Sequence, residues 1–462
     1  MTISPNTRRL LLSALIFVAA FSVRSLTWHD TRLEVGKVQY GVTADYRRVA
    51  QLFREAGVHS WFSSSSALAN PGTLGHPPGY SILLAATSSV SSDAPIQFVQ
   101  ITFDALSAVV IFLIVLELFS LTSAAIAGLL AAVAPQLAWN SVLLLPDTLA
   151  VFPILMAVYL LMQATKKPRL LTCLIVGGLI GISCWLRANA MLMTVFFAAA
   201  VPLLLPTRED ASPDDSGLAT RRQDAGAPNG ALKGTPAWRY SLAIVAGTIV
   251  VLAPLTIRNA IVFHRFIPVS LGSGQTLLEG ISDYDPQGRF GIPPTDVEIQ
   301  QQEAESAHRP EYAKALFDPD GIERERARLS RGFAVIRSHP FWFAGVMTRR
   351  ASTMVRLERT PVVASAPSSL RVLIYPVQKI FLTAVMLPIA IIGLLVVVFR
   401  KQSRALVILS IVPVYYFLVQ SIVHTEYRYV LAVVYFLFAF AAVGIDFGVN
   451  LFFEKLRTFN RD

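Results

Sequence analysis

Two short segments carry residue types that could do chemistry. Asp45-Tyr46 stands in a polar stretch after the first apolar run, and His76-Pro77-Pro78-Gly79-Tyr80 follows thirty-one residues on. A carboxylate just outside a membrane span is a costly item for that location unless it is used. Partly desolvated, it gains basicity and can take the proton of a hydroxyl or amine acceptor. Asp45 also fits a second role, capping the helical pattern that starts at this point. The two prolines after His76 impose an extended entry into the next helix. That rigid setting suits a cation or donor facing a phosphate, and equally a plain turn histidine. Asp147 follows Pro146 at the end of a later span, either as a cap or as a group that positions an acceptor or shares a divalent cation with Asp45. Arg187, Arg258 and Arg428 sit at the ends of three different spans, where planar guanidinium groups could clamp a phosphate or snorkel as anchors. Tyr46, Tyr80, His424 and Glu426 stand beside these groups and are the candidates for positioning a donor or acceptor.

What must hold these residues is a bundle of membrane helices. Apolar residues make up 54% of the chain and charged ones only 15%, which excludes a set of soluble domains. Continuous apolar runs, each long enough for about 30 Å of hydrocarbon, are expected near 10–27, 97–119, 121–138, 147–164, 170–186, 188–205, 240–257, 374–399, 404–421 and 429–452. The expected fold class is therefore an all-α polytopic membrane protein of about ten transmembrane helices; runs that do not alternate exclude a β-barrel. The first run follows Arg8-Arg9 as a signal peptide would, and is read as a retained anchor. Arg8-Arg9, Lys166-Lys167-Pro168-Arg169, Arg400-Lys401 with Arg404, and Lys455 with Arg457 all fall on one side, the cytoplasmic one by the positive-inside rule. Both termini are then cytoplasmic, and 28–96 and 258–370 face outward. The net charge of +10 is read as this anchoring and not as affinity for nucleic acid. Trp28, Trp139, Trp185 and Trp238 fall at span ends, as an interfacial belt expects.

The chain divides into an N-terminal half, 1–205, a polar, Pro- and Asp-containing linker at 206–238 read as disordered, and a C-terminal half, 239–462. Within the first outer segment, Val42, Tyr46, Val49, Leu52 and Phe53 share one face of a helical pattern, which suits a helix lying on the membrane surface. The second outer segment is rich in arginine (Arg324, Arg326, Arg328, Arg331, Arg337, Arg349, Arg350, Arg356, Arg359), which suggests anionic contacts. Cys173 and Cys184 fall in one expected helix about 16 Å apart, beyond disulfide reach. No nucleotide-binding or hydrolase motif stands in a usable context, so a sugar donor would have to be lipid-linked. Charges deep in the spans are few and no internal repeat is visible, both of which weigh against a transporter or flippase.

The ordered set of segments resembles the GT-C superfamily of membrane glycosyltransferases, and within it the bacterial protein-O-mannosyltransferase-like family, which includes rhizobial galacturonosyltransferases and the lipid A aminoarabinose transferase. The resemblance rests on Asp45-Tyr46 with Ala50; His76-Pro77-Pro78-Gly79-Tyr80; Leu145-Pro146-Asp147; Gly177-Gly178-Leu179-Ile180-Gly181 leading to Leu186-Arg187-Ala188-Asn189; and Ala253-Pro254-Leu255-Thr256-Ile257-Arg258-Asn259. Pro268-Val269-Ser270 with Gly274, Ser338-His339-Pro340 and His424-Thr425-Glu426-Tyr427-Arg428-Tyr429 complete it. It implies inverting transfer of a sugar from polyprenyl phosphate to a lipid, polysaccharide or protein acceptor outside the cytoplasmic membrane. Asp45 would be the base, Asp147 the second acid, His76 a contact to donor phosphate, and the arginines the stabilisers of the leaving group. A lipid-linked oligosaccharide polymerase or ligase is the neighbouring alternative. Many relatives carry a second acid where Tyr46 stands, and Lys or Arg where His76 stands. The resemblance therefore assigns no metal ligands and leaves a divalent cation as an open cofactor.

Overall fold

A computed structural model describes residues 4–31, 40–87, 92–205, 236–357 and 377–459. It is helical throughout, with no β-strand among the described residues. In chain order the helices are α1 (Pro5–Thr31), α2 (Tyr40–Ala56), α3 (Gly79–Thr87), α4 (Ala94–Leu118), α5 (Leu121–Val133), α6 (Pro135–Val142), α7 (Asp147–Lys166), α8 (Leu170–Leu186) and α9 (Met193–Leu204). After the linker come α10 (Ala237–Phe263), the short polar-faced α11 (Ser273–Ser282), α12 (Asp296–Ala307), α13 (Gly321–Ser338) and α14 (Pro340–Met354), then α15 (Thr383–Phe399), α16 (Ser403–Leu418) and α17 (Leu431–Phe459).

Every expected apolar run coincides with a helix or helix pair. Six are long and apolar enough to cross a membrane, and α5 with α6, bent by 48° at the break, would make a seventh. The runs at 170–186 and 188–205 form shorter apolar helices, as does Thr383–Phe399 within the run at 374–399, whose first three residues lie outside the described ones. These short helices sit against longer partners at very close range. A Cβ on Gly177 of α8 would lie 1.8 Å from the Ile244 carbonyl of α10, and one on Gly393 of α15 would lie 1.8 Å from the Phe440 carbonyl of α17. Small residues at such crossings let backbones meet where apolar burial gives no drive for association.

Arg9 of α1 lies 3.4 Å from Glu117 at the end of α4, Lys166 at the end of α7 pairs with the same carboxylate, and Arg404 of α16 donates to Thr165 Oγ1 at 3.0 Å. Three of the basic groups expected to share one side, Arg9, Lys166 and Arg404, thus lie together at the ends of α4 and α7. Asp147 begins the helix that Lys166 ends, so about 30 Å of helix separates them, the thickness of the hydrocarbon core.

Several expectations change. The apolar face of α2 is buried against protein instead of membrane: Tyr46, Val49 and Phe53 are each under a tenth exposed, packed on α3 and the turns after α2. Of the expected interfacial tryptophans, Trp28 donates to Gln97 at 2.8 Å, Trp185 to the Val251 carbonyl at 2.9 Å, and Trp139 is buried; only Trp238 is largely exposed. In the arginine-rich segment, Arg324 and Arg328 pair with Glu303, Arg331 donates to Gln302, and Arg350 is buried on the carbonyls of Ser421 and Gly280. These four hold the segment together. Arg326, Arg337 and Arg349 remain exposed, whereas Arg359 and the linker at 206–235 lie outside the described residues.

At the centre of the bundle Arg24 and Asp104, both fully buried, pair at 2.5 Å, and Tyr435 donates to the other Asp104 oxygen at 2.5 Å. Breaking such a pair on one side leaves an uncompensated charge, at a cost of about 3–5 kcal/mol, whereas removing both partners costs far less. Asp104→Asn is therefore expected to lower the thermal midpoint of the detergent-solubilised protein sharply, and Arg24→Met/Asp104→Leu to recover only part of the loss, because Arg24 also serves the Ala131 and Ala132 carbonyls. A double variant no more stable than Asp104→Asn would show that the pair is not the element at risk.

Candidate active site

The site is assembled at the end of the bundle opposite the basic cluster. Asp45 and Tyr46 lie in the second turn of α2. The chain then runs through short 3-10 turns, at Ala67–Ala69 and Pro71–Leu74, to His76 and enters α3 at Gly79. Gly79 is required by close approach, since a Cβ there would stand 2.4 Å from the Trp185 carbonyl of α8. Any side chain would lift α3 off α8, and with it the His76 that the preceding prolines hold. Asp147 is the first residue of α7, and Arg187 caps the C-terminus of α8. Arg428 lies in a 3-10 turn, Tyr427–Val430, that leads into α17.

Asp45 is about a third exposed. Its Oδ1 accepts from Arg48 Nη2 at 2.9 Å and Nε at 3.2 Å, and its Oδ2 lies 3.9 Å from His76 Nε2. The His76 ring stacks on Tyr46, centroids 4.7 Å apart, and Tyr46 meets the Tyr80 ring edge-on at 5.0 Å. Crowding by protein pushes His76 down to about 4; Asp45 pulls it up, and Arg187, Arg428 and Arg48 push it further down. At neutral pH it is a neutral hydrogen-bond donor and not the cation one reading of the sequence allowed.

Beyond Tyr46 lies the second half of the site. Arg187 Nη1 is 3.2 Å from Asp147 Oδ1, and its guanidinium lies 4.1 Å over the Tyr429 ring. Arg428 lies 5.1 Å from the same ring and donates through Nη2 to Glu426 at 2.8 Å. Here the buried polar groups stop finding partners. Tyr46 Oη, both Asp147 oxygens, and Arg428 Nε and Nη1 are buried without a hydrogen bond. Tyr46 and Asp147 each interact electrostatically with Arg187 and Arg428, so these groups face one another. Burial also raises the Tyr46 hydroxyl, which stays protonated. Unmet buried donors and acceptors are rare in native proteins; a group of them facing one another marks a candidate place for a polar ligand.

Three candidates commit their polar groups elsewhere. Arg258 is buried, donates to the carbonyls of Leu68 and Trp61 at 2.5 and 3.3 Å, and lies 4.7 Å over the Trp61 ring. It clamps the turns before His76 onto α10 and faces no carboxylate. Tyr80 is committed through its hydroxyl to Gln100 at 2.7 Å. His424 hydrogen-bonds Asp283 at 2.8 Å, which raises its pKa against burial, and its backbone N–H meets the Thr276 carbonyl of α11 at 2.7 Å. It joins the turn bearing Arg428 to the helices outside the bundle.

The sequence reading missed three contributors. Arg48 grips Asp45. Gln97 and Gln100 on α4 donate to the carbonyls of Val142 and Leu143, at 2.7 and 2.5 Å, and so fix the irregular link that aims Asp147. Two buried amides one turn apart, in an otherwise apolar span, were the available signal. The acids do not suit a divalent cation. Asp147 already faces Arg187 and Arg428, Asp45 is held by Arg48, and among the described residues no group of three His, Cys, Asp or Glu stands together.

Residues 75–210 match the family model described as dolichyl-phosphate-mannose-protein mannosyltransferase, a stretch that contains His76, Asp147 and Arg187. The structure is similar to the apo oligosaccharyltransferase of Archaeoglobus fulgidus, with 14% identity and a TM-score of 0.50 over 97% of this chain and 52% of that one. The archaeal oligosaccharyltransferase AglB of the same organism, in complex with an inhibitory peptide and a dolichol-phosphate, aligns at 14% identity and a TM-score of 0.47 over 98% and 52%. The chain thus spans about half the length of these proteins. No curated protein matches it. The likeness to the apo archaeal enzyme shows a shared fold.

The His76 environment makes a checkable statement about pH. Its pKa is lower in the fold, about 4, than the ordinary value of 6.5. The unfolded chain therefore binds more protons between those values, and stability falls as pH drops through that window. The thermal midpoint is expected to decline less between pH 6.5 and pH 4 in His76→Gln than in the natural protein. Equal declines would mean that His76 is not held neutral by its surroundings.

Proposed function

We propose that this protein is an integral membrane glycosyltransferase that moves a sugar from a polyprenyl-phosphate donor to an acceptor at the extracytoplasmic face, by inversion, with Asp45 as base. One observation carries the reading: Tyr46 Oη and Arg428 Nε and Nη1, buried without a hydrogen bond, gather with the Asp147–Arg187 pair beside Asp45, an aspartate about a third exposed, at the end of the bundle away from Arg9, Lys166 and Arg404. The family match over 75–210, whose description names a dolichyl-phosphate sugar, supports a lipid-phosphate donor. The positive-inside rule supports a cytoplasmic basic end and hence an outward site.

In this reading the donor phosphate lies against the free edge of Arg428, with Arg187 and the neutral His76 imidazole as further donors. Asp45 takes the proton of the acceptor hydroxyl or amine as that atom attacks the anomeric carbon from the face opposite the phosphate. The bond between the anomeric carbon and the phosphate oxygen breaks, and its electron pair leaves on the phosphate. Charge growing on the phosphate is met by fixed cations in a site with little water, where such stabilisation is strongest. Arg48 must yield Asp45 when the acceptor arrives, because a carboxylate held by a guanidinium is a weak base. Tyr46 and Glu426 are placed to orient the reacting groups.

The test uses a strain lacking the protein. Mass spectrometry of its membrane lipids is expected to show an accumulating polyprenyl-phosphate sugar, and the missing decoration identifies the acceptor. Asp45→Asn should reduce transfer by about 10²–10⁴-fold, the usual contribution of a general base. Purified Asp45→Asn should still bind polyprenyl phosphate as the natural protein does. Restoration of the decoration at full rate by this variant would remove Asp45 from the mechanism.

A further inference from the structure

A second polar cavity lies at the basic end of the bundle, far from the site above. It has a volume of about 160 Å³ and lies between the start of α5, the end of α15 and the last turns of α17. One wall carries Asp446, whose Oδ2 accepts from Ser120 and Ser123 at 2.7 and 2.6 Å and whose Oδ1 accepts from Asn450 at 3.3 Å. Another wall carries Arg400, its guanidinium 5.7 Å from the Phe447 ring. Among the described residues the two charges form no ion pair with each other or with any other group, although they line the same cavity. Opposite charges that share a cavity gain by closing together unless something occupies the gap.

We propose that this cavity binds the phosphoethanolamine headgroup of a membrane phospholipid. The ammonium would donate to the Asp446 carboxylate, which serine hydroxyls already orient, and the phosphate would meet Arg400. One anion, oriented by serine hydroxyls, and one cation on the same lining favour a zwitterion with a hydrogen-bonding ammonium. A quaternary ammonium has no N–H to donate, and an anionic headgroup without an amine leaves Asp446 unanswered. Phe119, Val396 and Val443, on the same lining, offer apolar contact to the glycerol end of the lipid. Such a lipid would bridge α5, α15 and α17 where Gly393 and Gly444 bring the last two backbones together.

The experiment is native mass spectrometry of the full chain in detergent, with phosphatidylethanolamine, phosphatidylcholine and phosphatidylglycerol of identical acyl chains, and with soluble phosphoethanolamine as a separate arm. Phosphatidylethanolamine is expected to be retained at least tenfold over phosphatidylcholine. Asp446→Asn should abolish that preference while phosphatidylglycerol retention is unchanged, and Arg400→Gln, on an exposed residue, should weaken retention of all three phospholipids. Equal retention of the ethanolamine and choline lipids, or an undiminished preference in Asp446→Asn, overturns the proposal. If Asp446→Asn does not fold, an Arg400→Gln protein that keeps full phosphatidylethanolamine retention overturns it. Soluble phosphoethanolamine binding as well as the lipid would reassign the cavity to a water-soluble ligand.

Discussion

The ion pair between Arg24 and Asp104 is the constraint around which the N-terminal bundle is arranged, and a proline explains it. Pro135 has no N–H, so the Ala131 carbonyl one turn earlier has no helical partner, and the bend between α5 and α6 strands the Ala132 carbonyl as well. Inside hydrocarbon such carbonyls must find donors within the protein. Arg24 supplies them, donating to Ala131 at 3.1 Å and to Ala132 at 2.8 Å, and to Ala20 of its own helix at 3.1 Å. A guanidinium there needs a counter-ion, which Asp104 provides, and Tyr435 satisfies the remaining carboxylate oxygen. One broken helix thus accounts for two carbonyls of α5 and three polar side chains drawn from α1, α4 and α17. The same break turns the chain toward the irregular link before Asp147.

The contrast with the other end of the bundle is informative. Around Arg24 the polar account closes: every strong donor has an acceptor. Around Asp147 it does not. The link at 141–146 is held by Gln97 and Gln100, the turn at 427–430 by Asn189, whose side chain donates to the Tyr429 carbonyl at 3.1 Å, and the loop before His76 by Arg258. Each supporting element is satisfied, yet Tyr46, Asp147 and Arg428, which they present, are not. Unmet polar groups held by a fully bonded frame mark where the fold spends stability on something other than folding.

Much of this was legible in the sequence because membrane spans write themselves in composition. Asp45, His76, Asp147, Arg187 and Arg428 could be picked out because charge and rigid turns are rare beside apolar runs. Arg258 could not be separated from them by the same logic. An arginine at a span end looks alike whether it faces a phosphate or a neighbouring carbonyl, and the Trp61 and Leu68 carbonyls that claim it lie almost two hundred residues earlier. Arg48 was hidden for the opposite reason, as one more charge on the polar side of an amphipathic pattern. The apolar face of α2 fitted a bilayer as well as it fitted α3. Burial pattern says that a face is covered and leaves open by what. The arginines of α13 suggested anionic contacts, and the sequence did not show that Glu303, which pairs with Arg324 and Arg328, would meet them from a different helix.

The pairing of Arg187 and Arg428 on a single tyrosine shows how two like charges can be kept close without a ligand. Each guanidinium faces the Tyr429 ring, whose π-face attracts cations, and Asp147 and Glu426 offset one positive charge each. The arrangement is close to neutral, which explains how it is tolerated at a membrane interface. It is not symmetric. Arg428 keeps Nε and Nη1 without a partner, whereas Asp147 presents two oxygens that would repel an anion. On the proposed reading an arriving phosphate is turned away from Asp147 and toward the open edge of Arg428. A leaving group directed there by fixed charges requires no rearrangement of dipoles at the moment its own charge develops.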